Sequence, residues 1–300
     1  MKTLSVLIKR NTKLFFKDKG MFFTSLITPA ILLVLYATFL GNIYKDTFTA
    51  IIPQGLDISE KLIDACVGGQ LISSILAVSC VTVSFCSNML MVQDKANSTI
   101  NDFTISPVKS GTMALGYYIS TLISTLVICI VSMGICLAYI ASIGFYMTPA
   151  DVLYLLLDVV LLVMFGTALS SVINFFLSTQ GQISAVGSII SSVYGFVCGA
   201  YMPISQFSQG LQRVLSFFPF VYGTSLVRYH SMRGVLDEME SAGVPTEIID
   251  GIMDTVDCNA YFFGDKVEVG TMYAVVSITV ASLIAIYVLL NVTKRQKGKK

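Results

Sequence analysis

The sequence predicts an all-α integral membrane protein, with six transmembrane helices, an N-terminal interfacial helix and an outer re-entrant segment between spans five and six. Three observations carry that prediction. The chain is 55% hydrophobic and 12% charged, against about a quarter charged residues in a soluble domain. Its apolar residues fall into discrete blocks of about 20 residues or more, the length that crosses a hydrocarbon layer of about 30 Å. Its Lys and Arg residues gather at the two ends, while its acids gather between spans.

Residues 1–20 interleave Val6, Leu7, Ile8, Leu14, Phe15 and Phe16 with Lys9, Arg10, Lys13, Lys17 and Lys19. That mixture suits a helix lying in the cytoplasmic interface, its long cationic stems reaching headgroups. A basic flank that only fixes topology is the alternative. The spans lie near Met21–Leu40, Gly68–Val92, Met113–Phe145, Val152–Leu177, Ile183–Tyr201 and Thr271–Val292. The first is long for a signal sequence and no small-x-small cleavage site follows it, so it is expected to stay as an anchor. The link Tyr146–Asp151 makes spans three and four a tight hairpin, and no loop is large enough for a second folded domain.

Orientation follows from Lys and Arg near the span ends. They crowd the N-terminal segment and the 293–300 tail, which holds Lys294, Arg295, Lys297, Lys299 and Lys300. Both termini are therefore expected on the cytoplasmic side of the cell membrane, which requires an even number of spans. Residues 202–270 form the largest outside segment, which is expected to divide at about Gly234. Gln206–Arg233 is apolar enough to dip into the outer leaflet, where protein can bury irregular backbone. Val235–Glu268 is acidic and suits a small external cap.

Within the spans, Gly187, Ser191, Gly195 and Gly199 repeat every four residues and mark a close helix contact, inside the chain or with a second copy. Thr167, Ser170, Ser171 and Asn174 share one helical face. They either line a translocation path or hydrogen-bond to neighbouring helices and their own backbone. Asp158 is the one acid placed well inside a span, where a charge usually marks a pathway or a partner; it is expected roughly opposite that polar face. A partly hydrated carboxylate without a mechanistic role is the competing reading.

Enzyme chemistry finds little support. His230 is the only histidine, no Cys-x-x-Cys pair occurs among the seven cysteines, and no Gly-rich Walker sequence is present. No metal or cofactor is expected in this chain, and the expectation is a non-enzyme. Most of the seven cysteines are read as small buried hydrophobes, with disulfide formation by Cys258 left open. A net charge of +1 gives no argument for a nucleic-acid partner.

Three stretches resemble the ABC-2 type transporter permease family: the basic helix running into span one, the 93–112 loop and Gly195–Arg228. The loop segment QDKANSTINDFTISPVKS ends at Thr104–Ser110 in a turn similar to the family's (A/T)-x-S-P-V-x-(R/S). The last stretch, GFVCGAYMPISQFSQGLQRVLSFFPFVYGTSLVR, is similar to a small-residue span ending in a Pro, here Pro203. A re-entrant segment with Pro219, Tyr222 and Arg228 follows it. The loop departs from the commoner form, an acid followed by Gly-Thr-Leu-Glu, by placing Asn97 to Asn101 there.

The resemblance implies an exporter subunit that pairs with a second permease, identical or not, and with ATPase subunits that carry ATP and magnesium. It also implies a coupling helix formed by the loop, with Asp94, Lys95, Ile100, Phe103, Thr104 and Pro107 as its candidates. Ile100, Phe103 and Thr104 recur at helical spacing, leaving Asp94, Lys95 and Asp102 for water or rim charges. A small amphipathic, drug-like or peptide-like cargo is expected. A secondary transporter or channel not driven by ATP is the alternative, against which stands the scarcity of intramembrane charge.

Overall fold

The computed structural model describes residues 2–53, 58–105 and 108–297. An interfacial-type helix α1, Lys2–Lys17, buries Leu7, Asn11 and Phe15, one face at four-residue spacing. Leu7 packs against Gly116, where an added Cβ would meet it at 3.1 Å. Asp18 then caps α2, Lys19–Leu35, by accepting from the Met21 amide at 3.1 Å. The helix carries Pro29 inside it and passes through a π turn, Tyr36–Leu40, into α3, Gly41–Ile51. The helical column thus runs eleven residues beyond the expected end of span one.

The centre is α4, Glu60–Ala96. It packs against α6 (Ser110–Ile143), α7 (Pro149–Phe176), α8 (Gln180–Val197), α10 (Pro219–Ser241) and α2. The turn at Ser98, with φ +60°, ends α4 and starts the short α5, Thr99–Ile105. Reciprocal capping boxes start α7 at Thr148/Asp151 and α8 at Thr179/Gln182, each satisfying amides that a helix start leaves open. After α8 come α9 (Gln209–Leu215), α10 and α11 (Thr246–Thr255). A two-stranded hairpin, β1 (Tyr261–Phe262) with β2 (Asp265–Lys266), then leads into α12, Val269–Lys297.

Among the described residues, five helical segments are long and apolar enough to cross a membrane: Lys19–Ile51, Glu60–Ala96, Ser110–Ile143, Pro149–Phe176 and Val269–Thr293. The 18-residue α8 is about 27 Å long at 1.5 Å per residue and is not among them. The expected break at Gly234 is corrected: α10 continues through it to Ser241. The reason is packing, because an added Cβ at Gly234 would lie 2.3 Å from the Tyr146 carbonyl oxygen, so glycine serves close approach here and not a turn. At its other end α10 sets Gly223 against Leu162 of α7 and Val276 of α12. Leu162 lies thirteen residues into α7, about 20 Å from its start, so α10 begins about halfway down the bundle.

Candidate functional site

Among the described residues, four polar clusters join helices inside the bundle through charged or amide side chains. The first ties the basic end of the bundle together. Arg10 of α1 donates both Nη atoms to Asp94 near the end of α4, at 2.7 and 3.0 Å, and Tyr117 of α6 donates to the same carboxylate at 2.6 Å. Such a forked, charge-assisted pair is stronger and more directional than a neutral bond. The Asp94 bond and charge raise the Arg10 pKa above its ordinary value, so the guanidinium stays charged. The same guanidinium stands 5.2 Å from the ring centroid of Phe103 in α5. Lys95 donates to the carbonyl oxygens of Asn174, Phe175 and Leu177 at 2.8, 2.8 and 3.0 Å, where a cation complements the negative end of α7.

This corrects the expected roles of two loop residues. Asp94 and Lys95 do not face water as rim charges; they belong to α4 and bind α1, α6 and α7, because a charge at a packed helix end needs a partner. On α5, Ile100 and Phe103 are half-buried and Ile105 is exposed. Thr104 lies in the same helix, whereas Pro107 lies outside the described residues.

In the second cluster, the polar face of α7 meets α4. Ser84 and Thr167 hydroxyls lie 3.4 Å apart, and Asn88 donates to Ser170 and Ser171 at 3.0 and 2.9 Å. Thr167, Ser170, Ser171 and Asn174 are all buried. Thr167, Ser170 and Ser171 meet α4 side chains there, and the Asn174 carbonyl accepts from Lys95. One turn away, Gly166 brings α7 so close that an added Cβ would meet the Cys80 carbonyl oxygen at 2.8 Å.

On the other side of α7, Asp158 forms the third cluster. His230 of α10 contacts it through Nδ1 at 2.6 Å, and Tyr273 of α12 donates to its second oxygen. The hydrated carboxylate considered from sequence is replaced by a buried one, 2% exposed. Tyr154 stacks on His230 at 5.0 Å, and Arg233 lies above Tyr154 at 5.9 Å while its Nε is 2.7 Å from Asp151. Asp151, the end of the link between spans three and four, is fully buried.

The fourth cluster anchors residues 199–206 to α10. Arg228 is fully buried; it donates to the Gly199 carbonyl at 2.8 Å and stands 3.4 Å from Asp257. Asp257 accepts from the amides of Ile204 and Ser205, next to Pro203. Burial pushes the Asp257 carboxyl pKa up, opposed by Arg228 and those two amides. Pro219 is the first residue of α10, where its missing N–H costs nothing. Tyr222 donates to the Ser216 carbonyl at 2.6 Å.

The small-residue stripe of α8 does not meet one partner. Gly187 faces the Met89 methyl group of α4, Gly195 faces the Tyr201 ring, and Gly199 takes φ +75° beside Asp257 and Ile204. Ser191 lines an open groove of about 820 Å³ between α2–α3 and α8, with Ile31, Phe39, Ile43 and Phe196. All seven cysteines are buried and unbridged.

Sequence reasoning overlooked Arg10, Tyr117, Asn88, His230, Tyr273 and Asp257 as site residues. A usable signal existed for the charged ones, since each isolated charge on an apolar element demands a counter-group. A model of the ABC-2 type transporter family matches residues 2–231, from α1 through Arg228 and His230. No curated protein matches the chain.

Proposed function

The chain belongs to the ABC-2 type transporter family as a permease subunit, and we propose that it works as one six-span half of an ATP-driven exporter. ATP would be hydrolysed, with magnesium, on separate ATPase subunits, leaving no catalytic role for this chain. The observation that carries the reading is the Arg10–Asp94–Tyr117 junction. It gathers α1, α4, α5 and α6 at the basic end, so a push on α5 would reach the spans as a rigid displacement.

The count of six rests on α8 as the fifth span, supplemented by α9 and α10 as a re-entrant pair, and on basic residues at both ends. The groove beside Ser191, apolar with a few hydroxyls, supports a small amphipathic, drug-like or peptide-like cargo and a second permease, copy or paralogue, facing it. Export places that cargo outside the cell, with both termini inside.

The test is co-expression with the partner ATPase. Ile100→Ala with Phe103→Ala should preserve membrane insertion while uncoupling ATP hydrolysis from export; each buried anchor typically contributes about 2 kcal/mol at an interface. Wild-type export together with unchanged ATPase capture would rule out α5 as the coupling element.

A further inference from the structure

The acidic segment after α10 has a side that does not suit water. Its hairpin turns at Phe263 and Gly264, with φ +54° and +102°, the two left-handed positions of a type I′ turn that normally takes Asn-Gly. A phenylalanine in that conformation is costly, and here it is 55% exposed. The ring packs against Phe217 at 5.6 Å and Phe262 at 5.0 Å, and Phe262 packs against Phe217 at 5.4 Å. Phe217 itself is 63% exposed.

The hairpin is two-sided. Tyr261 donates to Asp254 at 2.8 Å and Lys266 pairs with Asp250 at 3.6 Å, so that side is bound to α11, and the side turned away carries Phe262 with its cross-strand partner Asp265.

The level of that aromatic side follows from the helices around it. Phe217 lies two residues before α10, which starts about halfway down the bundle, one turn before the Gly223–Leu162 contact. At the hairpin's base, α12 sets Tyr273 against Asp158, nine residues into α7 and about 14 Å from its outer end. The tip packs on Phe217 and therefore lies farther along α7 than Asp158, near the depth of Leu162. Exposed apolar side chains of α9, Leu211 and Val214, continue the same surface. Arg213, 6.0 Å from the Phe263 ring, is placed to reach phosphates as a long cationic side chain does at an interface.

We infer that the 261–264 hairpin is a lipid anchor, its aromatic tip lodged among the glycerol groups and upper acyl chains of the outer leaflet, as interfacial aromatics are. This rests on the reading of α9 and α10 as a re-entrant pair. The cap is thereby held by bilayer as well as by protein.

The chain contains no tryptophan, so a single introduced indole reports its own surroundings. Phe262→Trp, Val214→Trp and Glu238→Trp would be purified and reconstituted in phosphatidylcholine vesicles, with and without lipids brominated high on the acyl chains. Phe262→Trp should lose about half its emission to the brominated lipid and resist aqueous iodide, as interfacial side chains do; Glu238→Trp should show the reverse. Iodide quenching of Phe262→Trp with bromolipid quenching of Val214→Trp would overturn the anchor while leaving the re-entrant pair standing. Iodide quenching of both would overturn both. Protection of Phe262→Trp from both quenchers would mean that protein covers the tip, and would equally overturn the anchor. Phe263→Trp, in the same aromatic cluster, provides the same readout if Phe262→Trp fails to fold.

Discussion

Helices α4 and α8 are both apolar, rich in small residues and read from sequence as spans, yet the structure treats them oppositely. In the most apolar stretch of α4, 89% of residues are buried within the chain, whereas α8 buries only Ile183, Tyr194 and Gly195. Apolar composition states only that a residue avoids water; lipid and protein satisfy it equally well. What separates the two helices is polar chemistry: α4 carries Ser84, Asn88, Asp94 and Lys95, each bonded to another helix. On α8, Ser192 bonds within the helix, donating to the Ser188 carbonyl at 2.6 Å. Isolated charges mark the scaffold, whereas in the small-residue stripe Ser191 lines the open groove and the glycines face side chains.

The hardest test of that contrast is steric. Gly166→Leu forces a side chain into the α4 backbone beside Cys80 and Val81, while Gly187→Leu meets only the end of Met89. The first should cost about 3 kcal/mol or more and abolish recovery of folded protein, and the second should cost much less, since overpacking is tolerated where a neighbour can move. Equal loss of folded yield in detergent would erase the distinction between the helices.

Arg10→Ala leaves Asp94 buried without its cation and should destabilise by about 3 kcal/mol, in the range for breaking a buried pair. Arg10→Ala with Asp94→Ala should recover part of that loss. A double-mutant cycle on thermal stability gives the coupling, and strict additivity would mean that the junction is not a unit.

In the Asp158 cluster, His230→Phe leaves one Asp158 oxygen unpaired and should cost about 1–3 kcal/mol. Tyr273→Phe removes the other bond and should cost about the same or less. Wild-type melting of both variants would show that α7, α10 and α12 are held by packing alone.

On α8, Ser191→Leu fills the groove without touching the core, so stability should stay within about 0.5 kcal/mol of wild type while cargo-stimulated ATP hydrolysis of the assembled transporter falls. A large drop in stability would place Ser191 in the scaffold after all.

The smallest effect concerns Cys258, whose thiol pKa burial pushes up to about 12. Deprotonation requires a pH near that value, so at neutral pH the native protein should resist an impermeant maleimide, and labelling should appear only on denaturation. An exposed position such as Glu238→Cys is the proper probe of sidedness.

Five of the six expected spans coincide with helical segments of crossing length because a long run of apolar residues leaves few choices: water is closed to it, and in lipid a helix satisfies its backbone within one segment. The polar face of α7 and the special character of Asp158 were equally legible, since periodicity and an isolated charge are local facts. The partners were not. His230 is 72 residues from Asp158, Arg10 is 84 from Asp94, and Asp257 is 29 from Arg228. No local pattern states which distant element will stand opposite a side chain. Gly234 shows the same limit in reverse: its sequence neighbourhood signals a break, but the Tyr146 carbonyl packed against it makes it the point of closest approach in a continuous helix. Residue order alone was enough to require that the chain enter a membrane, and to mark which side chains would be costly there. How those costs are offset emerged from the folded bundle, because each pairing depends on which helices pack together across it.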